Sequence, residues 1–288
     1  PLRALVPELS DTDSAAVPLD LLMAHRAGLH AHIEFFVQDA AAQQRDRLDI
    51  LREAANARRA DCRGMPPVDG FPPLYSDLGY MLVALAIERA ADLPLDEAIR
   101  REVAAPLGLR IGSAAQLVVP REPSEAGPAP VADVAATEVM PWRGGLVQGA
   151  VHDQNAWVLA GLGVAGHAGT FGDVGSVVDL GRAVCDAYHD RSDWLARRDL
   201  EPLVRRRPGG SHCAGFDRKS GDAPSSGRYF GDETFGHLGF TGTSLWIDPV
   251  HELVGVLLTN RVCPTRDSLL IRAARPAAYD ALYAAMCG

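Results

Sequence analysis

Lysine is almost absent from this sequence, since Lys219 is the only lysine among its 28 basic residues. With 37 acidic residues the formal net charge is -9. That balance argues against duplex nucleic acid as the main partner, because phosphate contacts need a basic surface. Apolar runs of the roughly 18–20 residues that span a bilayer are also missing. The sequence therefore predicts neither a nucleic-acid-binding protein nor a membrane span.

Paired cysteines are missing too, because the five cysteines are scattered at irregular spacing without a C-x-x-C pair. An odd, irregular set is not a disulfide framework. Aromatic residues make up only 6% of the chain, whereas hydrophobic residues make up 47% and charged residues 23%. This composition excludes a disordered or collagen-like chain, and 288 residues suffice to bury a sizeable core. The compartment stays open, because any leader would precede Pro1.

Helical patterns dominate the first two thirds of the chain. Residues 77–91 predict a strongly apolar helix with Asp77 near its start, where a carboxylate favours the helix dipole. A second helix begins at Pro94 and stops before Pro106. Further helices are predicted from Leu19 towards Gly28 and over 32–60, 174–189 and 266–286, whereas 110–150 has the composition of a long loop with short pieces.

Short β-branched and aromatic segments appear only near the carboxyl end. Residues 205–226 have the composition of an exposed excursion, with Arg205–Arg207 in a solvated loop. After it, the segments 238–247 and 252–260 predict a hairpin around Asp248-Pro249. Helices, a hairpin and a terminal helix predict an α+β architecture in one domain, 1–288. Its parts are a mostly helical lobe over 20–180 and a sheet hairpin with the C-terminal helix over 227–288.

Three short patterns occur in a fixed order along the chain. The first is LLMAHRAGL from Leu21, and the second is YSDLGY from Tyr75, followed by PLGL from Pro106. The third is GHLGFTGTS from Gly236, followed by LTNR from Leu258. Together with HDQNA from His152 and GHAG from Gly166, they cover nearly the whole chain. In this combination the sequence resembles the penicillin-binding protein and class C β-lactamase-related serine hydrolases, a family that includes esterases and D-amino-acid peptidases.

The resemblance implies an antiparallel sheet flanked by helices, and acyl transfer to a serine followed by hydrolysis of an ester, amide or β-lactam. In this family a serine in an S-x-x-K helix attacks the carbonyl. A Tyr-x-Asn loop supplies a phenol and an amide near the nucleophile. A K-T-G or H-x-G strand lends a backbone N–H to the oxyanion. The expected partner is a small acyl, peptide or β-lactam substrate, and neither a cofactor nor a metal is implied.

Tyr75 and His237 are the implied catalytic residues. Tyr75 would assist proton transfer, and His237 in the H-x-G variant would line the cleft and tune the charge near the substrate. Asp77 stands where the family usually has asparagine, so amide donation is not expected there. The implied substrate-binding residues are Asp77, Leu238, Gly239, Phe240, whose backbone N–H would stabilise the oxyanion, and Thr241.

The nucleophile's pattern is missing from these 288 residues. Phe216, not serine, stands three positions before Lys219, so no S-x-x-K exists here. The chain resembles the family without its amino-terminal portion, and alone it is expected to be inactive. That portion is expected to exist in the functional protein, as an upstream segment or a second chain, because its deletion would leave unpaired sheet edges and exposed apolar surface. The alternative is a non-catalytic pseudoenzyme that binds peptidoglycan-like or acyl ligands.

Other chemistry-bearing residues favour structural roles. The spacing of His25, His30 and His32 does not match a helical metal-binding pair, and His25 is expected to order the turn before Gly28. GHAG lacks the lysine that follows in a phosphate-binding loop, so a structural glycine turn is expected. His152 and Asp153 are sequence neighbours, which seldom point at one target. Ser76 and Ser244 are the serines nearest the inferred cleft, but neither has a lysine partner.

Overall fold

The computed structural model describes residues 1–36, 45–118 and 133–288 of the chain. Its α-helices are α1 Leu19–Met23, α2 Arg47–Asn56, α3 Asp77–Ala91, α4 Leu95–Ile99, α5 Ala114–Leu117, α6 Gln154–Ala160, α7 Val174–Tyr188, α8 Arg197–Val204 and α9 Ile271–Cys287. Its strands are β1 Ile111–Gly112, β2 Val139–Met140, β3 Gly145–Leu146, β4 Phe171–Gly172, β5 Asp217–Arg218, β6 Phe235–Leu238, β7 Ser244–Asp248 and β8 Leu253–Leu257.

Helix α3 lies at the centre of the larger apolar core. It is apolar around most of its circumference, and its buried positions, from Leu78 to Ala86, pack against helices α1 and α2. The helix ends at Asp92, whose φ of 52° is the left-handed conformation typical of a helix end. The predicted helix over 77–91 is confirmed. Its first turn begins two residues after Tyr75, so the helix fixes the position of that tyrosine at the edge of the core.

The principal sheet has four antiparallel strands in the order β5-β6-β7-β8, and its faces are covered by different helices. Phe235 and Ile247 lie on the face that packs with α7 and α8, whereas Trp246 packs with Tyr279 of α9 on the other face. Gly255 allows that close approach, since a Cβ there would lie 2.5 Å from the Tyr279 ring. The predicted α+β architecture, with an antiparallel sheet flanked by helices, is confirmed.

Several helix predictions hold in the described residues. The helix over 174–189 appears as α7, and the one from Pro94 as α4 followed by a single π-helical stretch, Arg100–Ala104. Within 110–150 the described residues carry only two- to four-residue pieces, as expected. None of the helices in the described ranges is long and apolar enough to cross a bilayer.

The predicted helix over 32–60 is wrong in extent. Among the described residues of this range only Arg47–Asn56 is α-helical, beginning where the Asp46 side chain accepts the backbone N–H of Leu48 at 2.7 Å. Residues 32–36 are not helical, because Asn155 holds them from outside: its amide donates to the Ile33 carbonyl and its Oδ1 accepts the N–H of Phe35. Residues 37–44 of the prediction lie outside the described part. A tertiary hydrogen-bond pair has overridden local helix propensity.

Two boundaries near the carboxyl end also differ. The predicted strand over 238–247 is two strands, β6 and β7, joined by a turn in which the Gly239 N–H donates to the Thr243 carbonyl at 2.8 Å. The hairpin around Asp248-Pro249 is confirmed as β7 and β8. The last helix starts at Ile271 rather than near 266. Leu269, which the predicted helix included, lies before the observed helix and has 55% of its surface exposed.

The segment 205–226 is not a detached excursion. Arg26 donates to the Pro208 carbonyl, and Arg207 forms an ion pair with Asp20 at 3.1 Å. Cys213 and Ala214 are buried. The first half of the segment is therefore held on helix α1 and the loop that follows it, and the prediction that Arg207 lies in a solvated loop is wrong. Arg205 and Arg206 remain exposed, as predicted.

Candidate functional site

Strand β6 and the turn after it form one wall of a cleft. His237 lies on the strand, opposite Leu245 of β7. The turn is held by Arg275, which donates to the carbonyls of Gly239 and Thr243 at 2.8 and 3.0 Å. Within the described residues, nothing accepts a hydrogen bond from the backbone N–H of Phe240. That N–H is therefore available for a ligand.

Tyr75 faces this wall from the loop before helix α3. Its ring centroid lies 6.3 Å from that of His237. His25 lies against the other side of the tyrosine, 4.4 Å away and tilted by 34°. The structure thus brings together the two residues proposed from the sequence as catalytic, from distant parts of the chain.

A third imidazole completes the cluster, and sequence reasoning missed it. His212 lies 5.8 Å from Tyr75 and 5.0 Å from His25, measured between ring centroids. Its Nδ1 is 3.7 Å from the carboxylate of Asp217, the first residue of β5. The segment reaches the cleft because it folds back over helix α1. The only local signal was a histidine within a glycine- and serine-rich stretch, which is no evidence of a site by itself.

The electrostatics of this cluster favour neutral side chains. Burial, followed by the nearby Asp77, Asp153 and Asp217 carboxylates, raises the pKa of Tyr75 to about 12, although 44% of the residue's surface is exposed. Burial also lowers the pKa of His25 to about 3, with His212 and His237 acting in the same direction. At neutral pH the phenol therefore keeps its proton and can donate it.

His25 is a structural anchor for the tyrosine loop. Its φ of 58° is unusual for a residue with a side chain, and its Nδ1 accepts the backbone N–H of Ser76 at 3.0 Å. A ring nitrogen accepts only when it is unprotonated, so this bond requires neutral histidine. The expectation that His25 orders a turn agrees with this geometry, although the bond reaches the loop before α3 rather than Gly28.

Replacing His25 by asparagine is expected to make the free energy of unfolding depend less on pH under acidic conditions. Unfolded histidine takes up a proton below about pH 6.5, whereas folded His25 does so only near pH 3, so stability falls as pH drops through this window. As the pH falls from about 7 to 4, the free energy of unfolding should decrease by about 3 kcal/mol less in the variant than in the parent. Asparagine tolerates a positive φ and supplies a non-titrating acceptor for Ser76. Urea unfolding at each pH measures the difference, and parallel curves would contradict the prediction.

Besides His212 and Asp217, the carboxylate–imidazole pairs near the cleft include Asp77 with His32 and Asp153 with His167. Asp77 in the first turn of α3 is 3.3 Å from His32, so its carboxylate already has a partner on the chain. Asp153 caps helix α6 and accepts from the His167 ring at 2.9 Å. Burial of the Asp153 carboxyl is the largest single influence and opposes ionisation, but the hydrogen bond and charge of His167, the Ala156 N–H and the charge of His32 together keep the pKa below its usual value. GHAG is a tight turn, with Ala165 and Ala168 bridged, and it also supplies this partner.

Two arginine side chains lie over the ring of Phe240 at the rim of the cleft. Its ring is 56% exposed and lies under the guanidinium groups of Arg261 and Arg266, at 4.5 and 5.4 Å from the ring centroid. Arg266 is neutralised by Glu138 at 2.6 Å. Arg261 donates only to backbone carbonyls and has no carboxylate partner among the described residues. The rim therefore presents the positive charge of Arg261 beside the turn, without a carboxylate paired to it in the described residues.

Other residues singled out from the sequence lie elsewhere. The side chain of Leu238 packs on the core under α9, so only its backbone faces the turn. The Ser76 hydroxyl donates to the His30 carbonyl at 2.7 Å, and the Ser244 hydroxyl is 2.8 Å from that of Tyr279. Both serines are almost fully buried. The hydroxyl of neither is free to act as a nucleophile.

The described residues contain no cluster of three or more His, Cys, Asp or Glu side chains that could hold a metal ion. The only lysine is also outside the cleft. Lys219 follows β5, and its ammonium donates to the carbonyls of Arg228 and Phe230 at 2.9 and 2.5 Å. An amine is thus not present beside Tyr75.

An antiparallel sheet flanked by helices, with a tyrosine facing an H-x-G strand, defines the β-lactamase/transpeptidase-like class of folds. A penicillin-binding protein homologue from Caulobacter crescentus superposes with a TM-score of 0.60, at 17% identity, over 96% of this chain and 74% of that one. A class C β-lactamase also superposes with a TM-score of 0.60, at 13% identity, over 98% and 74%. At these identities the likeness shows the fold.

The family model described as Beta-lactamase matches residues 1–279, and the chain belongs to that family of serine hydrolases. A Salmonella agona protein described as "Putative D-alanyl-D-alanine carboxypeptidase" is 30% identical over 207 residues. The matched stretch covers 67% of this chain and 46% of the relative. The chain thus spans about half the length of the curated relatives it matches. The resemblance seen in the three sequence patterns is confirmed at the level of the family.

Proposed function

We propose that this chain forms the tyrosine–histidine side of a serine acyl-transfer site that hydrolyses an ester, amide or β-lactam. The observation that carries the proposal is the approach of Tyr75 to His237, with the unbonded N–H of Phe240 on the adjoining turn. Such a pair can protonate a leaving group on one side and stabilise an oxyanion on the other.

The nucleophile is proposed to come from outside these 288 residues, on an S-x-x-K segment. The absence of that pattern and the engaged hydroxyls of Ser76 and Ser244 support this assignment. The serine oxygen would add to the substrate carbonyl as its proton passes to the lysine of that segment, and the bond to the leaving group would break as Tyr75 gives the leaving group a proton. The lysine would then return a proton to Tyr75. Water would then attack the acyl-serine and release the acid. An ammonium group placed beside Tyr75 would lower the pKa of its phenol from about 12 and make proton return easier.

Substrate would be held by the turn and the opposite loop. Phe240 and Thr241 would offer backbone groups at the reacting carbonyl, with Leu238 contributing through its backbone alone. Gly239, whose N–H and carbonyl are bonded to Thr243 and Arg275, would shape the turn that presents them. Asp77 is a carboxylate paired with His32, so it would accept a hydrogen bond from a substrate N–H rather than donate one. This distinguishes the proposed site from one that has an asparagine at that position.

A fluorescent penicillin and a fluorophosphonate test the proposal. The 288-residue chain alone should not be labelled covalently. Intact mass and amino-terminal sequencing of the natural gene product should reveal an S-x-x-K segment upstream or on a second chain, and that assembly should be labelled at the serine. Covalent labelling of the chain alone would overturn the assignment of the nucleophile.

The rival function is a binding protein that keeps the cleft and lacks catalysis. The high pKa of Tyr75 and the lack of a neighbouring amine favour it if no S-x-x-K segment joins the chain. If the natural gene product binds the penicillin reversibly and is not labelled covalently, that result would support the binding protein over the hydrolase.

A further inference from the structure

A surface cleft of about 320 Å³ lies away from Tyr75, between helix α8 and the start of β5. Its floor is apolar, formed by the buried Leu200 and Val204 with the ring of Tyr188 at one side. Its polar lining consists of Arg197, Arg205, Arg206 and Arg218 with Glu201 and Glu233. None of these residues belongs to the Tyr75–His237 cleft.

The charge of this cleft is opposite to that of the whole molecule. Four guanidinium groups meet two carboxylates, in a chain whose net charge is -9. Arg205 makes no ion pair or hydrogen bond within the described residues, and Arg206 donates only to the Asp232 carbonyl. Arg197 lies over the Tyr188 ring, with its central carbon 5.5 Å from the ring centroid. Four positive charges against two negative ones leave an excess that repels itself, and an anion in the cleft would reduce that repulsion.

Arg218 places a fixed positive charge at the bottom of the cleft. The residue is 3% exposed, and it donates to the Val204 carbonyl at 3.0 Å and to the carboxylate of Glu233. Its Nε is buried and has no hydrogen-bond partner in the described part of the chain. Because that Nε is closed to solvent, Arg218 contributes a fixed charge, and direct contact with a ligand falls to the exposed Arg197, Arg205 and Arg206.

We propose that this cleft binds a phosphate monoester, with its dianionic phosphate among the arginines and its organic part on the apolar floor. The dianion matches the excess of two positive charges, and guanidinium groups pair with phosphate oxygens through two parallel hydrogen bonds. The volume suits a small molecule, since ligand pockets begin at about 300 Å³. The inference is independent of the function proposed for the Tyr75 cleft.

Titration calorimetry with phenyl phosphate, inorganic phosphate and phenol on the 288-residue chain tests this site. Phenyl phosphate should bind saturably with one site per chain, more tightly than inorganic phosphate, and phenol should not bind. Joint replacement Arg205→Gln and Arg206→Gln should weaken phenyl phosphate binding by about tenfold or more. The matched control Arg182→Gln changes an exposed arginine on α7 outside the cleft and should leave the affinity unchanged.

Three results would overturn the proposal. The first is the absence of a saturable binding signal at up to about 10 mM phenyl phosphate in low-salt buffer, because a site of about millimolar affinity would be mostly occupied there. The second is an equal loss of affinity in Arg182→Gln, which would indicate a general charge effect. The third is equal affinity for phenyl phosphate and inorganic phosphate, which would remove the role of the apolar floor. Circular dichroism of each variant confirms that the fold is retained.

Discussion

Replacing Tyr75 by phenylalanine in the complete, active assembly lowers kcat by about 10²–10⁴-fold, the usual contribution of a positioned proton donor. The substitution removes only the hydroxyl, so the ring contacts with His25 and His237 remain. Because the phenol is protonated at neutral pH, the step expected to be lost is the one proposed for Tyr75, proton delivery to the leaving group. The effect should therefore be largest for amides, whose leaving group needs the proton most. Steady-state kinetics on a matched ester and amide measure both effects.

Tyr229→Phe is the matched control for this experiment. Tyr229 is half exposed and stacks on Tyr283 of α9, away from the cleft. Its replacement should leave kcat unchanged. A Tyr75→Phe assembly that turns over within about threefold of the parent would remove Tyr75 from the proton-transfer role.

Gly166→Ala is expected to destabilise the fold by about 3 kcal/mol, a large share of the roughly 5–15 kcal/mol that a domain has. A Cβ at this position would lie 1.9 Å from the carbonyl oxygen of Tyr80 in α3, so the backbone of one segment must move. The same movement would shift His167, the next residue, away from Asp153. Chemical denaturation measures the loss of stability.

Gly175→Ala in helix α7 is the matched control, because a Cβ there meets only the Asp173 carboxylate at 3.4 Å. Alanine is favoured over glycine in a helix by up to about 1 kcal/mol, so this variant should be as stable as the parent or more so. Equal stability of the two variants would show that the contact with α3 relaxes freely, contrary to the prediction.

Local patterns predicted the parts of the fold whose cause is local. Helix α3 was recoverable because its apolar residues and end signals lie within its own fifteen positions. The hairpin of β7 and β8 was recoverable because Asp248-Pro249 marks its turn. Helix 32–60 was not, since Asn155 holds residues 33 and 35 from 120 positions along the chain. No window of local sequence contains that hydrogen bond.

The site divides in the same way. Tyr75 and His237 were proposed because each lies within a motif, and the structure places them on facing sides of one cleft. Their catalytic roles remain predictions. His212 lies in no motif, and it reaches the cleft only because Arg207 and Arg26 fasten its segment to the helical part. The arginine cleft of α8 was hidden for the same reason: Arg218 joins Arg205 and Arg206 only after the chain folds.

Because Lys219 lies directly after β5, lysine-specific proteolysis can report local opening at this edge of the sheet. In these 288 residues a protease specific for lysine has one bond to cut, the one after Lys219, and the ammonium that it must recognise is held by two carbonyls. Cleavage therefore requires this edge of the sheet to open first, and when opening is rapid the digestion rate reports how often it does so. A single band shift on a gel would follow the loosening of one strand.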